Sequence, residues 1–536
     1  MYAAQNITPT VLDAMNGNVS EWYNECDNAI RRSEIVPGTY EYTTAVSYGN
    51  VGEFGEGSST TVDIACDRFH IISIDNSFLY VEQDIEIKPS AKLSDKKGCN
   101  GIFYVGYQYA PEVFMGYKIY SNSDLVQTVT WANYEWFALR NSVQPQAREQ
   151  TDQYATIEKI RRLDPNVPGV YVNLSGQTAA AVTKVKLKLR VPLSSFLIFR
   201  FLRYLPNWAG KISIELTPSK NNLVIAPTQD PFTITDVEGT NQTSFAEFCK
   251  DKVDLDFGFS NFNNEVNYYF NAAGTAWDPV KFTCEKFECK RIESRLAVYM
   301  LDPDISNALA AKYIAVPLMF PIHQISVKDF AGEVGNQNPG AAGARTDIAL
   351  TTAMKHADTM FVLFRRTIND YSCFYNPGIK YHINIDGKYY PREEYSTVED
   401  MRSYNLTLDA MNFNNNFTTT INPEMQSSIM PYVKVWTHTG GQKTQYTNGD
   451  RSNFWLGIPF ADSEDFMGGI STVGTVQIQY TGDRDGPDEL RAKKFTKPIA
   501  LFTEDALLKI RSMKPAGAPQ IGITTASIEQ ILAAGQ

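Results

Sequence analysis

Two distant stretches of the chain read in the same order: an alternating strand, a proline that stops it, a short connection, and a glycine that opens a second alternating strand. In the first, Lys184-Val185-Lys186-Leu187-Lys188-Leu189-Arg190-Val191 is stopped by Pro192-Leu193-Ser194-Ser195, and Gly210 opens Lys211-Ile212-Ser213-Ile214-Glu215-Leu216-Thr217. In the second, Asn453-Phe454-Trp455-Leu456-Gly457-Ile458 is broken by Pro459-Phe460-Ala461-Asp462-Ser463, and Gly474 opens Thr475-Val476-Gln477-Ile478-Gln479-Tyr480-Thr481. Pro192 and Pro459 stand 267 positions apart, Thr217 and Thr481 264, so the two matches agree within a short loop difference. A weaker match sets Phe103-Tyr104-Val105 against Phe361-Val362-Leu363. Solenoid repeats are ~20–50 residues long, so a period near half the chain means a duplicated domain. Side chains that alternate with period two mark strands with one buried face. Such strands satisfy that face by stacking two antiparallel sheets.

The rest of the chain has the same texture. After Pro37-Gly38, Phe69–Ile74 leads through Asp75-Asn76 into Phe78–Ile87, and Ile102–Val105 reads as a further strand. Tyr and Phe contribute 29 and 30 residues, and Asn, Thr, Ser and Gly are frequent, a composition that favours strands joined by turns. Helical spacing is confined to a few places. Val11, Leu12, Met15, Val19, Trp22, Tyr23, Cys26 and Ile30 form one apolar stripe, expected to be an amphipathic helix docked on its own domain. Ala132–Leu139, Thr151–Leu163, Phe196–Leu205 and Glu504–Met513 are expected to be shorter helices, and Pro515–Gln536 an extended arm or a tail ordered only by partners. Eight-stranded jelly rolls are one standard form of such a two-layer sandwich. The expected division lies near Phe257–Asn264, giving an N-terminal helical segment over 1–37, a first roll over 38–257, a second over 258–502, and a C-terminal helix and tail over 503–536.

Charge and cysteine content narrow the function. The net charge of −11 argues against a surface built throughout to grip nucleic acid. The cations of Lys184, Lys186, Lys188 and Arg190 lie on one strand face; with no aromatic side chains interleaved there, a solvated or salt-bridged outer face is expected rather than a phosphate track. Seven cysteines, odd in number and without CxxC spacing, suit a reducing compartment, and Cys284 and Cys289 read as packing residues. Met1–Thr10 lacks a secretory pattern and no apolar run approaches ~20 residues. The chain is therefore expected to be made inside the cell and not secreted, which leaves triplets such as Asn173-Leu174-Ser175 and Asn416-Phe417-Thr418 without weight as glycosylation sites.

Catalytic motifs are missing: there is no phosphate-binding GxxxxGK[ST] loop, GxGxxG turn, GxSxG elbow or HExxH helix. The five histidines lack the close pairing of local metal motifs. His356 with Asp358 and His382 with Asp386 come nearest to acid–base pairs, but both lie beside apolar strand runs, where structural histidines are expected. Asp483-Arg484-Asp485-Gly486 with Asp488 and Glu489 gathers carboxylates in a turn without completing a calcium loop. No catalytic, cofactor-binding or metal-ligating residue is expected, and the chain is read as a non-enzyme.

Blocks that carry no chemistry do resemble a family. Tyr117–Asp124, Tyr134-Glu135-Trp136-Phe137, Lys159-Ile160-Arg161-Arg162 and Pro165–Tyr171 are similar to the first half of Maverick/Polinton-type (Polinton-like virus, adintovirus) double jelly-roll major capsid proteins. Val191–Phe196 and Gly210–Thr217 extend the resemblance, as do His356–Phe361 and Asn384–Lys388 in the second half. It spans most of the chain between Gly38 and Phe502 and implies an all-β protein of two tandem jelly-roll β-sandwiches, with an N-terminal amphipathic helix and short helical insertions. It further implies pseudo-hexameric homotrimers that tile an icosahedral shell around double-stranded DNA. Trimer–trimer contacts, penton and minor capsid proteins as partners, a place in the virion, and no sequence-specific nucleic-acid binding, catalytic residue or cofactor would follow. The alternative from the residues alone is a carbohydrate- or receptor-binding β-sandwich of a virion. It would need exposed aromatics gathered in a groove, for which Tyr389-Tyr390 and Tyr446 are candidates.

Overall fold

The computed structural model describes residues 9–33, 40–45, 51–54, 57–65, 69–95, 100–142, 154–179, 181–228, 260–262, 265–266, 280–315, 317–329, 345–351, 353–365, 374, 377, 379–397, 401–410, 433–436, 442–445, 454–460, 469–472, 474–482, 498–512 and 520–524. The first half carries β1 (Tyr40–Ala45), β2 (Val51–Phe54), β3 (Thr60–Ile64), β4 (His70–Pro89), β5 (Ile102–Gly106), β6 (Phe114–Ser121), β7 (Asp124–Val129), β8 (Gly169–Asn173), β9 (Thr183–Pro192), β10 (Tyr204–Pro206), β11 (Ile212–Pro218), β12 (Val224–Pro227), β13 (Ser260–Asn261), β14 (Glu265–Val266) and β15 (Val280–Met300). The second carries β16 (Leu318–Asp329), β17 (Arg345–Thr351), β18 (Met354–Leu363), β19 (Ile379–Ile385), β20 (Lys388–Ser396), β21 (Val433–Trp436), β22 (Gln442–Gln445), β23 (Leu456–Pro459), β24 (Ile470–Thr472), β25 (Thr475–Gly482), β26 (Ile499–Ile510) and β27 (Ile521–Thr524). Helices are α1 (Pro9–Ser33), α2 (Ala132–Ser142), α3 (Ile157–Arg161), α4 (Leu197–Arg200), α5 (Pro303–Ala315) and α6 (Met401–Ala410).

Strand pairing makes the duplication explicit. In the first half one antiparallel sheet runs β1 and β2, then β15, then β4, then β9 and β10; the other runs β3–β11–β6–β7. In the second half the orders are β16–β26–β18 followed by β23 and β24, and β17–β25–β19–β20. Counting β1 with β2, β9 with β10 and β23 with β24 as one strand each, both halves have the order 1-8-3-6 facing 2-7-4-5. That is the jelly-roll order, so the chain is a double jelly roll. The first half adds a third sheet, β13–β12–β5–β8.

The repeat seen in the sequence maps onto equivalent strands: β9 and β23 flank the third strand of their rolls, and β11 and β25 are the seventh. Each seventh strand starts at a glycine pressed against a two-residue turn. Those turns, Asn122-Ser123 and Asp386-Gly387, have positive φ at both residues (46° and 75°, 49° and 83°), the geometry that continues the twist of paired strands. A Cβ on Gly210, whose φ is +85°, would fall 2.5 Å from Asn122 Nδ2, and one on Gly474 would fall 2.0 Å from Asp386 Oδ1. Replacing either glycine by alanine is expected to cost ~1–3 kcal/mol, read as a lowered thermal-unfolding midpoint. Midpoints unchanged in both variants would mean the turns do not approach this closely.

Several sequence expectations need correction. The match of Phe103–Val105 with Phe361–Leu363 does not hold, because β5 belongs to the third sheet whereas β18 is the third roll strand. The expected division at 257/258 precedes the first roll's last strand, since β15 pairs with β4 from Phe282↔Pro89 to Met300↔His70. The boundary at 502/503 falls within β26. Glu504–Met513 is not a helix: Glu504–Ile510 continue β26, and a strand buried on both faces shows no two-residue alternation to tell it from a helix. Nor is the tail wholly without local order, because Ile521–Thr524 pairs with Leu507–Ile510. Within Phe196–Leu205 only Leu197–Arg200 is helical, and Tyr204–Pro206 is a strand. Within Thr151–Leu163 the helix is Ile157–Arg161, capped by Thr156, whose Oγ1 accepts from Lys159 N at 3.2 Å.

Candidate functional site

In a chain read as a building block, the functional question is how its two rolls are held as one unit. The N-terminal helix does much of this, because it docks across both rolls rather than on one. Trp22, Cys26 and Ala29 of α1 are buried, and the Trp22 ring stands edge-on to Trp208 of the first roll (5.7 Å) and Tyr313 of α5 (5.3 Å). Tyr23 OH donates to Phe201 O at 2.8 Å while its ring faces Phe320 of β16 at 6.5 Å. On the polar side, Asp27 Oδ1 accepts from Tyr204 OH at 2.6 Å, and Glu25 accepts from Tyr313 OH at 2.8 Å and pairs with Lys312.

Two further contacts close the junction. Gln520, just before β27, accepts from Asn122 Nδ2 at 2.8 Å and donates to Trp208 O and Arg511 O, tying the second roll's added strand to the first roll's turn. Helix α2, from the first roll, lies on the outer face of the second roll's sheet. There Phe137 meets Phe374 (4.6 Å) and Trp455 (5.7 Å), Trp455 stacks on Phe361 (4.6 Å), and Arg365 donates to Tyr134 OH at 3.1 Å. Behind α2, Glu135 is buried with Arg200 Nη2 at 3.0 Å and Tyr117 OH at 3.1 Å; burial raises its carboxyl pKa despite the guanidinium.

The basic row on β9 is an exposed outer face set against the carboxylates of the neighbouring strand. Lys184, Lys186 and Lys188 stand directly opposite Glu86, Asp84 and Glu82 of β4, and Arg190 lies over the Phe78 ring at 4.5 Å. The exposed Lys184–Glu86 pair, at 3.8 Å, is worth well under ~1 kcal/mol. Cys289 is buried beside Gln83, its thiol pushed up to about 12 by burial, and Cys284 is half-buried against the same core, as expected of packing residues.

The acid–base candidates separate. His382 shares a hydrogen bond with Gln479 Oε1 at 2.8 Å and rests on Tyr389, while Asp386 stands in its turn against Gly474. Asp358 is drawn to a histidine that local spacing did not single out: His323 Nδ1 lies 2.8 Å from Asp505 Oδ1 and 3.7 Å from Asp358 Oδ2. The three residues come from β16, β18 and β26, with His323 directly opposite Asp505 and Asp358 at an irregularity in the pairing of β18. The two carboxylates raise the His323 pKa to about 9, and burial raises that of Asp358. Only the alternation of Ile325-Ser326-Val327-Lys328, marking a strand, could have hinted at His323.

The acidic turn Asp483–Glu489, Tyr446 and the Asn416 triplet lie outside the described residues. Among the described residues, the exposed aromatics are Trp131, after β7, and Tyr389, in the β19–β20 hairpin, while Tyr390 packs against Phe460. No helix of the described residues is long and apolar enough to cross a membrane.

No family model and no curated protein matches the chain. Solved structures do. The mavirus major capsid protein is 10% identical with a TM-score of 0.50, the match covering 93% of this chain and 92% of that one. A cryo-EM structure of the Sputnik virophage (11% identity, TM-score 0.46, 92% and 90% covered) and the Faustovirus major capsid protein (10%, 0.39, 93% and 98%) are also similar. The mavirus likeness shows the same fold over nearly the whole length of both chains, in agreement with the strand order.

Proposed function

We propose that the chain is a major capsid protein. Three copies form a pseudo-hexameric trimer, and trimers tile an icosahedral shell around double-stranded DNA. The observation that carries this reading is the pair of rolls with one strand order, locked together by α1, α2 and the Gln520 strap. Two similar blocks held rigidly in one chain turn a threefold ring into six near-equivalent positions, and head-to-tail contacts between identical copies close such a ring. The mavirus likeness supports it, since that protein is itself a major capsid protein.

In this reading the role is structural and not catalytic. The protein resides in the virion after synthesis inside the host cell, and its partners are further copies, with penton and minor capsid proteins completing the shell. Light scattering on the purified protein is expected to give three times the mass of the chain, and electron micrographs are expected to show six-lobed particles. A stable monomer under conditions that favour assembly would overturn the proposal.

A further inference from the structure

We propose that His323, Asp358 and Asp505 bind a divalent first-row transition ion of the zinc type, clamping three strands of the second roll. One donor comes from each of β16, β18 and β26, which are adjacent in the sheet; main-chain pairing sets His323 directly opposite Asp505, and Asp358 stands at the register shift of β18 beside them. They share a face. His323 alternates in phase with Ile325 and Val327, and Asp505 with Leu501 and Ile499, which belong to the apolar patch beneath α2; the cluster lies where that patch ends.

The distances suit an ion. His323 Nδ1 and one carboxylate oxygen each from Asp358 and Asp505 lie within 4.8 Å of one another. Nitrogen and oxygen ligands sit ~2.0–2.2 Å from zinc, which places neighbouring donors about 3–3.5 Å apart. The two contacts of Nδ1, at 2.8 and 3.7 Å, straddle that spacing, so small side-chain rotations complete the site.

Approach and rigidity also fit. Asp505 is 1% exposed and cannot swing away, whereas the His323 side chain is 58% exposed and leaves a path from solvent. Gly469 presses on Asp358 from behind: a Cβ there would fall 2.8 Å from Asp358 Oδ1, while the other oxygen, Oδ2, faces His323. One imidazole with two carboxylates favours transition ions over magnesium and calcium, which prefer all-oxygen shells. That mixed donor set, fixed by three strands, separates this cluster from an ordinary acidic turn.

The test uses the full chain, freed of metal by chelator and titrated with Zn²⁺ by calorimetry and with Co²⁺ by visible absorption, in excess Mg²⁺. One ion per chain is expected, with His323→Ala and Asp358→Asn each weakening binding ~tenfold or more. His382→Ala, which removes an imidazole from this roll's other sheet, is expected to bind as the unaltered protein does. His323 is largely exposed, so its replacement should leave the fold intact, checked by circular dichroism in chelator; if it does not, Asp358→Asn decides. Absence of saturable uptake at one ion per chain, or uptake unchanged in the deciding variant, would overturn the proposal.

Discussion

Trp22→Ala is expected to lower the stability of the chain by about 3–5 kcal/mol, the cost of removing a fully buried indole. The ring fills the angle between Trp208 and Tyr313, themselves stacked 5.7 Å apart, so its removal leaves a void that two rigid aromatics cannot close. Because α1 contacts both rolls, the loss also weakens their mutual hold. Calorimetry is expected to show a lower midpoint and a transition broadened toward two steps. Trp22→Phe keeps part of the edge-on packing and should lose less than half as much. If the alanine variant melts as the parent does, α1 is not docked between the rolls as described.

Glu135→Ala is the second large effect. Removing this buried carboxylate takes the acceptor from Tyr117 OH and the counter-charge from Arg200, whose Nη2 keeps only Ser195 O, and breaking such a pair from one side costs ~3–5 kcal/mol. Glu135→Gln keeps an acceptor for Tyr117 OH and should cost less. The pH dependence has a defined sign: the folded-state pKa is raised above its ordinary 4.5, so the folded form holds this proton more tightly than the unfolded chain. The stability gained from that proton is full below about 4.5 and is lost as pH rises through the folded value. Glu135→Gln should remove this component, flattening denaturant midpoints measured across that range. Identical slopes in parent and variant would show that Glu135 does not titrate above its unfolded value.

Much of the fold was legible because its strands advertise themselves. Lys184–Val191 and Gly210–Thr217 alternate strictly, since one face meets the core and the other meets water, and their echoes in the second half became equivalent strands. The α1 stripe was likewise readable. What misled was β26. Ala506-Leu507-Leu508-Lys509 favours a helix by intrinsic propensity, and only the sheet on either side of it forces an extended chain. That one misreading also hid Asp505 and with it the His323 cluster, whose members meet only through the register of three strands. The boundary error had a related cause: β15 returns to β4 after a long excursion through the first half's extra sheet, and no local pattern announces the return.

The bond between Asn122 and Gln520 spans 398 residues of sequence. On the ribosome, therefore, the first roll cannot acquire all its native contacts when its own last strand emerges. The Asn122 amide and the Trp208 carbonyl wait for a segment made after nearly all of the second roll. Trp22 and Tyr313, both made before the second roll, can already cover the Trp208 ring, so what the nascent first roll lacks in that interval is the polar closure of its seam, the stage at which a chaperone or a premature neighbour would meet it.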